Sequence, residues 1–275
     1  KDIFDVEYWE LEQAKLNKGG TRPAFAGEIG LITGAASGIG RACVDSFLSR
    51  GASVVGVDIN PAIETMCPSH GYLGVQCDLT HEEDIIKLIQ KTVDAFGGLD
   101  MLVLNAGIFP QGSMISKLET STWAKVMEVN LTANLFMMRE CHPLLKLAPQ
   151  GGRVVVIGSK NICAPGPGVA AYSASKSAMN QLARVAALEW GDDSIRINSL
   201  HPNGVFDTGI WTKEVLASRA KHYGISADEY KRRNVLQTEV TSHDVAELAA
   251  VTCEDFFSKT TGSQIAVDGG NDRVI

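Results

Sequence analysis

Apolar residues in this chain come in two rhythms. From residue 29 onward, short and nearly unbroken runs of Val, Ile and Leu alternate with longer stretches whose apolar residues return every three or four positions. The runs "GLIT" (30–33), "ASVVGVD" (52–58), "YLGVQCD" (72–78), "DMLVLN" (100–105), "GRVVVIGS" (152–159), "IRINSL" (195–200) and "SQIAVD" (263–268) are seven strand candidates. Their continuity predicts strands covered on both faces. Between them, "GRACVDSFLSRG" and "EEDIIKLIQKTVDAFGG" carry helical periods, the second closed by glycines after its last apolar turn. Strand and helix in alternation, joined by right-handed crossovers, predict an α/β chain. Its expected architecture is a doubly wound, seven-stranded parallel sheet with helices on both faces, in a single domain.

Two regions break the alternation. Residues 1–26 hold an amphipathic segment, "VEYWELEQAKL", and then a Gly- and Pro-containing linker. Residues 27–275 form the expected dinucleotide-binding domain, and an insertion at 205–240 interrupts it after the sixth strand. An insertion of that length at a strand end predicts a lid or substrate-binding element.

Composition narrows the choice of partners. With 45% apolar residues the chain can fill a sizeable core. A net charge of −7 without a long basic run argues against a nucleic-acid or anionic-membrane surface. No apolar stretch approaches the roughly 18 residues of a spanning helix. The first 18 residues are too charged for a signal peptide. Six scattered cysteines with no CxxC pair read as reduced thiols of a cytoplasmic protein, and no metal site is expected.

Chemistry gathers at the ends of the predicted strands. "TGAASGIG" (33–40) runs from the first strand into the first helix. Gly34, Gly38 and Gly40 permit a sharp turn and close approach to a pyrophosphate, which the N–H groups from Ser37 through Ile39 and Gly40 can then bind. Asp58 ends the second strand, where a carboxylate accepts from both adenosine ribose hydroxyls and repels a 2′-phosphate. Ser37, rather than a basic residue, precedes the second glycine, so NAD is favoured over NADP. Asp78 and Leu79 follow the third strand; Asp78 either faces the adenine or caps the next helix. "NAG" (Asn105, Ala106, Gly107) closes the fourth strand, where Gly107 again allows a ligand close to the backbone.

"YSASK" places Tyr172 and Lys176 at i and i+4 on one helical face. A cation there stabilises phenolate, and moving a phenol from about 10 toward 7 takes roughly 4 kcal/mol. The small residues between them are expected to leave room for cofactor and substrate. Ser159, ending the fifth strand, can donate to a substrate oxygen. Asn130, in "MEVNL", has poor helix propensity; its side chain either lies exposed or holds a water linking Lys176 to solvent. His201 reads as a strand-end residue rather than a second base.

TGAASGIG, NAG, Asn130, Ser159 and Tyr172-x-x-x-Lys176, in this order, resemble the short-chain dehydrogenase/reductase family over about residues 27–271. The resemblance implies a Rossmann-type fold and hydride transfer between NAD and a small alcohol or carbonyl compound. It implies Tyr172 as general acid/base, Lys176 on the nicotinamide ribose, Ser159 orienting substrate and Asn130 maintaining a proton relay. It also implies a homotetramer or homodimer. After the sixth strand the family reads Pro-Gly-x-Val-x-Thr; here "HPNGVFDTG" keeps Pro202 and Val205, puts Asn203 in place of glycine, and has Thr208 one position late. The segment "FDVEYWELEQAKL" is similar to the dehydrogenase half of fusions with a sugar-phosphate aldolase, and the first residue, Lys1, fits a piece of a longer chain. Lactaldehyde or another short hydroxyaldehyde is then the expected substrate. An unrelated sugar, polyol or secondary alcohol, or a non-catalytic NAD sensor, are the alternatives.

Overall fold

The computed structural model describes residues 23–271; the predicted helix at 6–16 and the four C-terminal residues lie outside them. All seven expected strands form: β1 Ile29–Thr33, β2 Ser53–Asp58, β3 Tyr72–Gln76, β4 Met101–Leu104, β5 Arg153–Ile157, β6 Arg196–Pro202 and β7 Gln264–Val267. They make one parallel sheet in the order β3-β2-β1-β4-β5-β6-β7. The order of strands along the sheet runs outward in opposite directions from the β1–β4 pair, so a crevice opens there above the carboxyl ends of the strands.

Alternate strand residues feed two cores. Leu31, Val55, Leu102, Val154 and Val156 pack with Ile85 and Leu88 of α2 (Glu82–Phe96), Met137 and Cys141 of α4 (Ala133–Leu145), and Met179 and Ala183 of α5 (Ala170–Glu189). Ile32, Val54, Val103, Val155 and Ile157 face the other way. They pack with Val44 and Phe47 of α1 (Gly38–Ser49) and with Val245 and Ala249 of α8 (Ser242–Cys253). Each buried Val, Leu, Ile, Met or Phe side chain contributes about 1.5–3 kcal/mol, which explains the unbroken apolar runs. Helix α2 ends as expected, at Gly97 with φ 90°.

The helical stretch from 120 to 145 is not uniform. Helix α3 (Thr120–Met127) joins α4 through one π-helical turn, Glu128–Thr132, with Asn130 at its centre. The insertion holds two short helices, α6 (Lys213–Tyr223) and α7 (Ala227–Lys231). Its start is pinned: both Asp207 carboxylate oxygens accept from the Ser242 N–H at 2.9 and 3.1 Å.

Gly74 on edge strand β3 lies against the turn that follows Asp58. A methyl group there would meet the Ile63 carbonyl oxygen at 2.0 Å. Backbone cannot yield cheaply to that contact. Gly74→Ala is therefore expected to cost about 1–3 kcal/mol, read as a lower urea midpoint; an unchanged midpoint would show that the turn moves freely.

Candidate active site

The phosphate loop is locked from beneath. The buried Thr33 hydroxyl, at the end of β1, accepts from Asn105 N and Ala106 N, both at 3.0 Å, and donates to Val103 O at 3.3 Å. Asn105 Nδ2 donates to Thr33 O at 2.9 Å and Gly34 O at 3.1 Å. Asn105 thus holds the loop's shape, and its amide is already engaged. Gly34 has φ 64° and Gly38 φ 52°. A methyl group on Gly40 would sit 2.1 Å from Gly34 O, so α1 starts directly against the loop. Ser37 makes no side-chain cap and the first turn of α1 has no acidic residue, which leaves its N–H groups open to an anion.

Asp58 is fixed at the crevice by Ala36 N at 3.0 Å and Asn60 N at 2.9 Å, one bond to each oxygen. Each oxygen retains lone-pair capacity for a hydroxyl. Asp78 does not cap the next helix, whose N-cap is His81; one of its oxygens closes a turn, accepting from Thr80 N at 3.0 Å and Thr80 Oγ1 at 2.8 Å. The backbone N–H bond, first, and then the hydroxyl hold its carboxyl below the usual range. The Leu79 side chain belongs to the core, so only its backbone is left for a ligand.

Around Tyr172 the structure corrects two expectations. Ser173 and Ser175 do not leave open space: both are buried, and Ser175 Oγ donates to Tyr172 O at 2.8 Å while accepting from Asn130 Nδ2 at 3.1 Å. Asn130 is fully buried rather than exposed, and both of its amide hydrogens are engaged within the protein. Its Oδ1 accepts from Ile108 N at 2.7 Å and its Nδ2 donates to Ile108 O at 3.0 Å, clamping the segment after Gly107. The carbonyl of Asn130 is met by Asn134 Nδ2 at 2.8 Å.

Lys176 is buried, and its Nζ donates to Ile157 O at 2.7 Å, the last carbonyl of β5. Burial lowers its pKa from 10.5 to about 8. Nζ lies 6.0 Å from the Tyr172 ring centroid. Burial raises the phenol and a hydrogen bond with Ser159 opposes that rise, so desolvation outweighs that bond and the phenol is raised, where the sequence predicts a lowering. Ser159 is itself oriented: its Oγ accepts from Asn161 N at 3.2 Å and Asn161 Nδ2 at 3.4 Å. Phe109 stands edge-on to Tyr172 at 4.7 Å.

These residues fit a nicotinamide dinucleotide. A methyl group on Gly107 would lie 3.2 Å from Asn130 Oδ1 and 3.6 Å from Lys176 Nζ, so the missing side chain keeps a path open to the ammonium. That ammonium has three donors and one protein acceptor among the described residues, which suits a ribose diol. The altered loop after β6 also serves. The left-handed residue is Gly204, φ 63°, rather than position 203. Thr208 Cγ2 comes within 3.2 Å of where a Gly38 methyl group would be. Val205 is buried and bridges Val240, and Pro202 closes β6.

The sequence assigns no role to Thr33, Phe109 and Asn134, and places Asn161 near the pocket mouth without one. Thr33 opens "TGAASGIG", Phe109 follows "NAG" by two residues, and Asn161 follows Ser159 by two. In the insertion, Phe206, Trp211 and Tyr230 cluster at 4.8–6.1 Å between ring centroids, while Ile210 is exposed. The insertion is also locally basic between 219 and 233, as a solvated face: Arg219, Lys221 and His222 are exposed, Lys231 pairs with Glu239, and Arg233 covers Tyr223.

The depressed Lys176 makes an expectation with a definite sign. Between pH about 8 and 10.5 the unfolded chain holds a proton that the folded one has lost, so this group's contribution to stability rises with pH across that window. Lys176→Met should remove that slope. At neutral pH it should relieve on the order of 3 kcal/mol of desolvation, partly offset by the orphaned Ile157 carbonyl. The expected result is a melting temperature no lower than wild type in an inactive protein; a large drop would contradict it.

Comparisons with known proteins agree with this geometry. The family model described as enoyl-(acyl carrier protein) reductase matches residues 34–272. The uncharacterized oxidoreductase YuxG of Bacillus subtilis is 34% identical over 98% of this chain, which spans only 41% of that relative's length. Cis-4-hydroxycyclohexanecarboxylate dehydrogenase of Sinomonas cyclohexanicum is 31% identical over 90% of this chain and 97% of its own. Short chain dehydrogenase adrF of Penicillium roqueforti is 31% identical over 86% and 94% respectively. With the Ser159–Tyr172–Lys176 site at the carboxyl edge of a seven-stranded parallel sheet, the chain belongs to the short-chain dehydrogenase/reductase family of oxidoreductases.

Proposed function

We propose that the protein is an NAD-dependent dehydrogenase of a small alcohol or carbonyl compound. The observation that carries the reading is the convergence of the Tyr172 phenol, the oriented Ser159 hydroxyl and the buried Lys176 ammonium beside Gly107. A bound nicotinamide ring supplies the hydride acceptor or donor. In alcohol oxidation Tyr172 takes the substrate hydroxyl proton at its phenolate oxygen while the carbon gives up hydride. In reduction the phenol returns that proton to the forming alkoxide. Asn161 donates to Ser159 Oγ, which frees the Ser159 proton to point at the substrate oxygen in both directions. Lys176 remains an ammonium up to about pH 8, where it supports phenolate and can bind the ribose.

NAD is favoured by Asp58. Its carboxylate is held at the ribose end of the crevice, and the Arg41 Nε, on the adjoining helix, is taken by Asp45 at 3.3 Å. The proposed substrate is lactaldehyde or another short hydroxyaldehyde, resting on the similarity of "FDVEYWELEQAKL" to aldolase-fused dehydrogenases. An unrelated sugar, polyol or secondary alcohol is the second reading, favoured by the aromatic cluster of Phe206, Trp211 and Tyr230. A homotetramer or homodimer working in the cytoplasm completes the proposal. Among the described residues no helix is long and apolar enough to cross a membrane.

NADH formation across a panel of hydroxyaldehydes, polyols and cyclic alcohols separates the two substrate readings. Tyr172→Phe should lower kcat by at least about a hundredfold, in line with loss of a general acid/base; undiminished turnover would remove the assigned base. Asp58→Ser should shrink the preference for NAD over NADP by about tenfold or more, as loss of a charged hydrogen-bond partner does. An unaltered ratio would place nucleotide choice elsewhere.

A further inference from the structure

One buried titratable group near the site has no part in the steps above. His201 lies in β6 and is almost fully covered. Its ring packs behind the catalytic strand end: a methyl group on Gly158 would strike His201 Cδ2 at 2.8 Å. Gly158 separates Ile157, whose carbonyl receives the Lys176 ammonium, from Ser159. The backbone pairing repeats the contact, with Gly158 N donating to Leu200 O at 2.7 Å.

The far side of the ring enters a string of amides. His201 Nε2 is 3.2 Å from Asn180 Oδ1. Asn180 Nδ2 donates to Gln264 Oε1 at 2.9 Å, which fixes the amide so that its oxygen faces the imidazole. Nε2 must then carry the proton and donate. Asn180 is buried and lies one turn beyond Lys176 on α5, while Gln264 is exposed on β7. The string therefore ties α5, β6 and β7 together directly beneath the catalytic lysine.

We infer that His201 is a positioning residue for this reaction. Its ring wedges behind Gly158 and, bonded through Asn180 to Gln264, fixes the strand end that presents the Ile157 carbonyl and the Ser159 hydroxyl. The inference rests on the proposed roles of Tyr172, Lys176 and Ser159. It also requires the ring to stay neutral, because an imidazolium would add a second charge beside Lys176. Burial, first, and the Lys176 charge both hold the imidazole below its ordinary range. Lys176 is the charged group that acts on it among the described residues.

The test compares kcat against pH, together with dinucleotide affinity by NADH fluorescence, in wild type and two variants. His201→Leu keeps bulk but loses the donor to Asn180. It should lower kcat about tenfold, the scale of one buried hydrogen bond, with dinucleotide affinity changed less than about twofold. His201→Gln keeps an N–H at the same reach and should restore kcat to within about twofold at neutral pH. Its acid limb should be shallower than that of the wild type, where the imidazole also takes a proton. A His201→Leu enzyme of wild-type kcat, or a Gln variant no better than Leu, overturns the inference. If His201→Leu does not fold, Asn180→Leu reads the same bond from its other end, with the same expected loss. An active Tyr172→Phe enzyme sinks the parent reading instead; a dead one beside an unimpaired His201→Leu enzyme sinks this inference alone.

Discussion

The site is organised around an ammonium that has been taken out of water. Lys176 is buried at the carboxyl edge of the sheet and bonded to the last carbonyl of β5, and no carboxylate pairs with it among the described residues. Burial without a counter-ion disfavours the charge, which is why its proton is held only to about pH 8. The same desolvation acts on the neighbouring phenol in the opposite sense and raises it. Acid and base are therefore set by one dry pocket. The cation loses hold of its proton more easily and the phenol keeps its own more firmly, so the two titrations move apart.

That pocket exists because of backbone placement more than side-chain chemistry. β5 delivers Ile157 and Ser159 to one side of α5, and β4 delivers Gly107 to the other. Asn130 joins the segment after β4 to α5 through Ile108 and Ser175. The π turn holding Asn130 is what aims it inward, a use of such turns at functional sites that recurs across folds. Thr33 and Asn105 perform the equivalent task between β1 and β4, so the phosphate loop and the reacting centre share one scaffold.

How much of this the chain disclosed depends on the scale of the feature. The strands were legible because each is covered on both faces and so must be apolar throughout. The glycines of the phosphate loop and Tyr172-x-x-x-Lys176 were legible because their chemistry demands fixed spacing. The burial of Asn130 was not, since a π turn has no signature in composition and helical periodicity predicts a different facing. Ser173 and Ser175 misled because small size permits open space and close packing equally. Asp78 stayed ambiguous for a related reason: one residue type closes a turn or meets a ligand, and here the Thr80 bonds engage one of its oxygens. Asn203 in place of glycine looked like a departure in the loop, yet Gly204 supplies the left-handed turn one residue later.

The most direct measurement of the central claim is the titration of Lys176 itself. The enzyme, labelled with 13C at the lysine ε-carbons, would be followed by NMR, with Lys176→Met identifying the resonance. A single lysine titrating near pH 8, well apart from the others, is the result this account requires. A Lys176 resonance that titrates with the solvated lysines, at about 10.4, would contradict it.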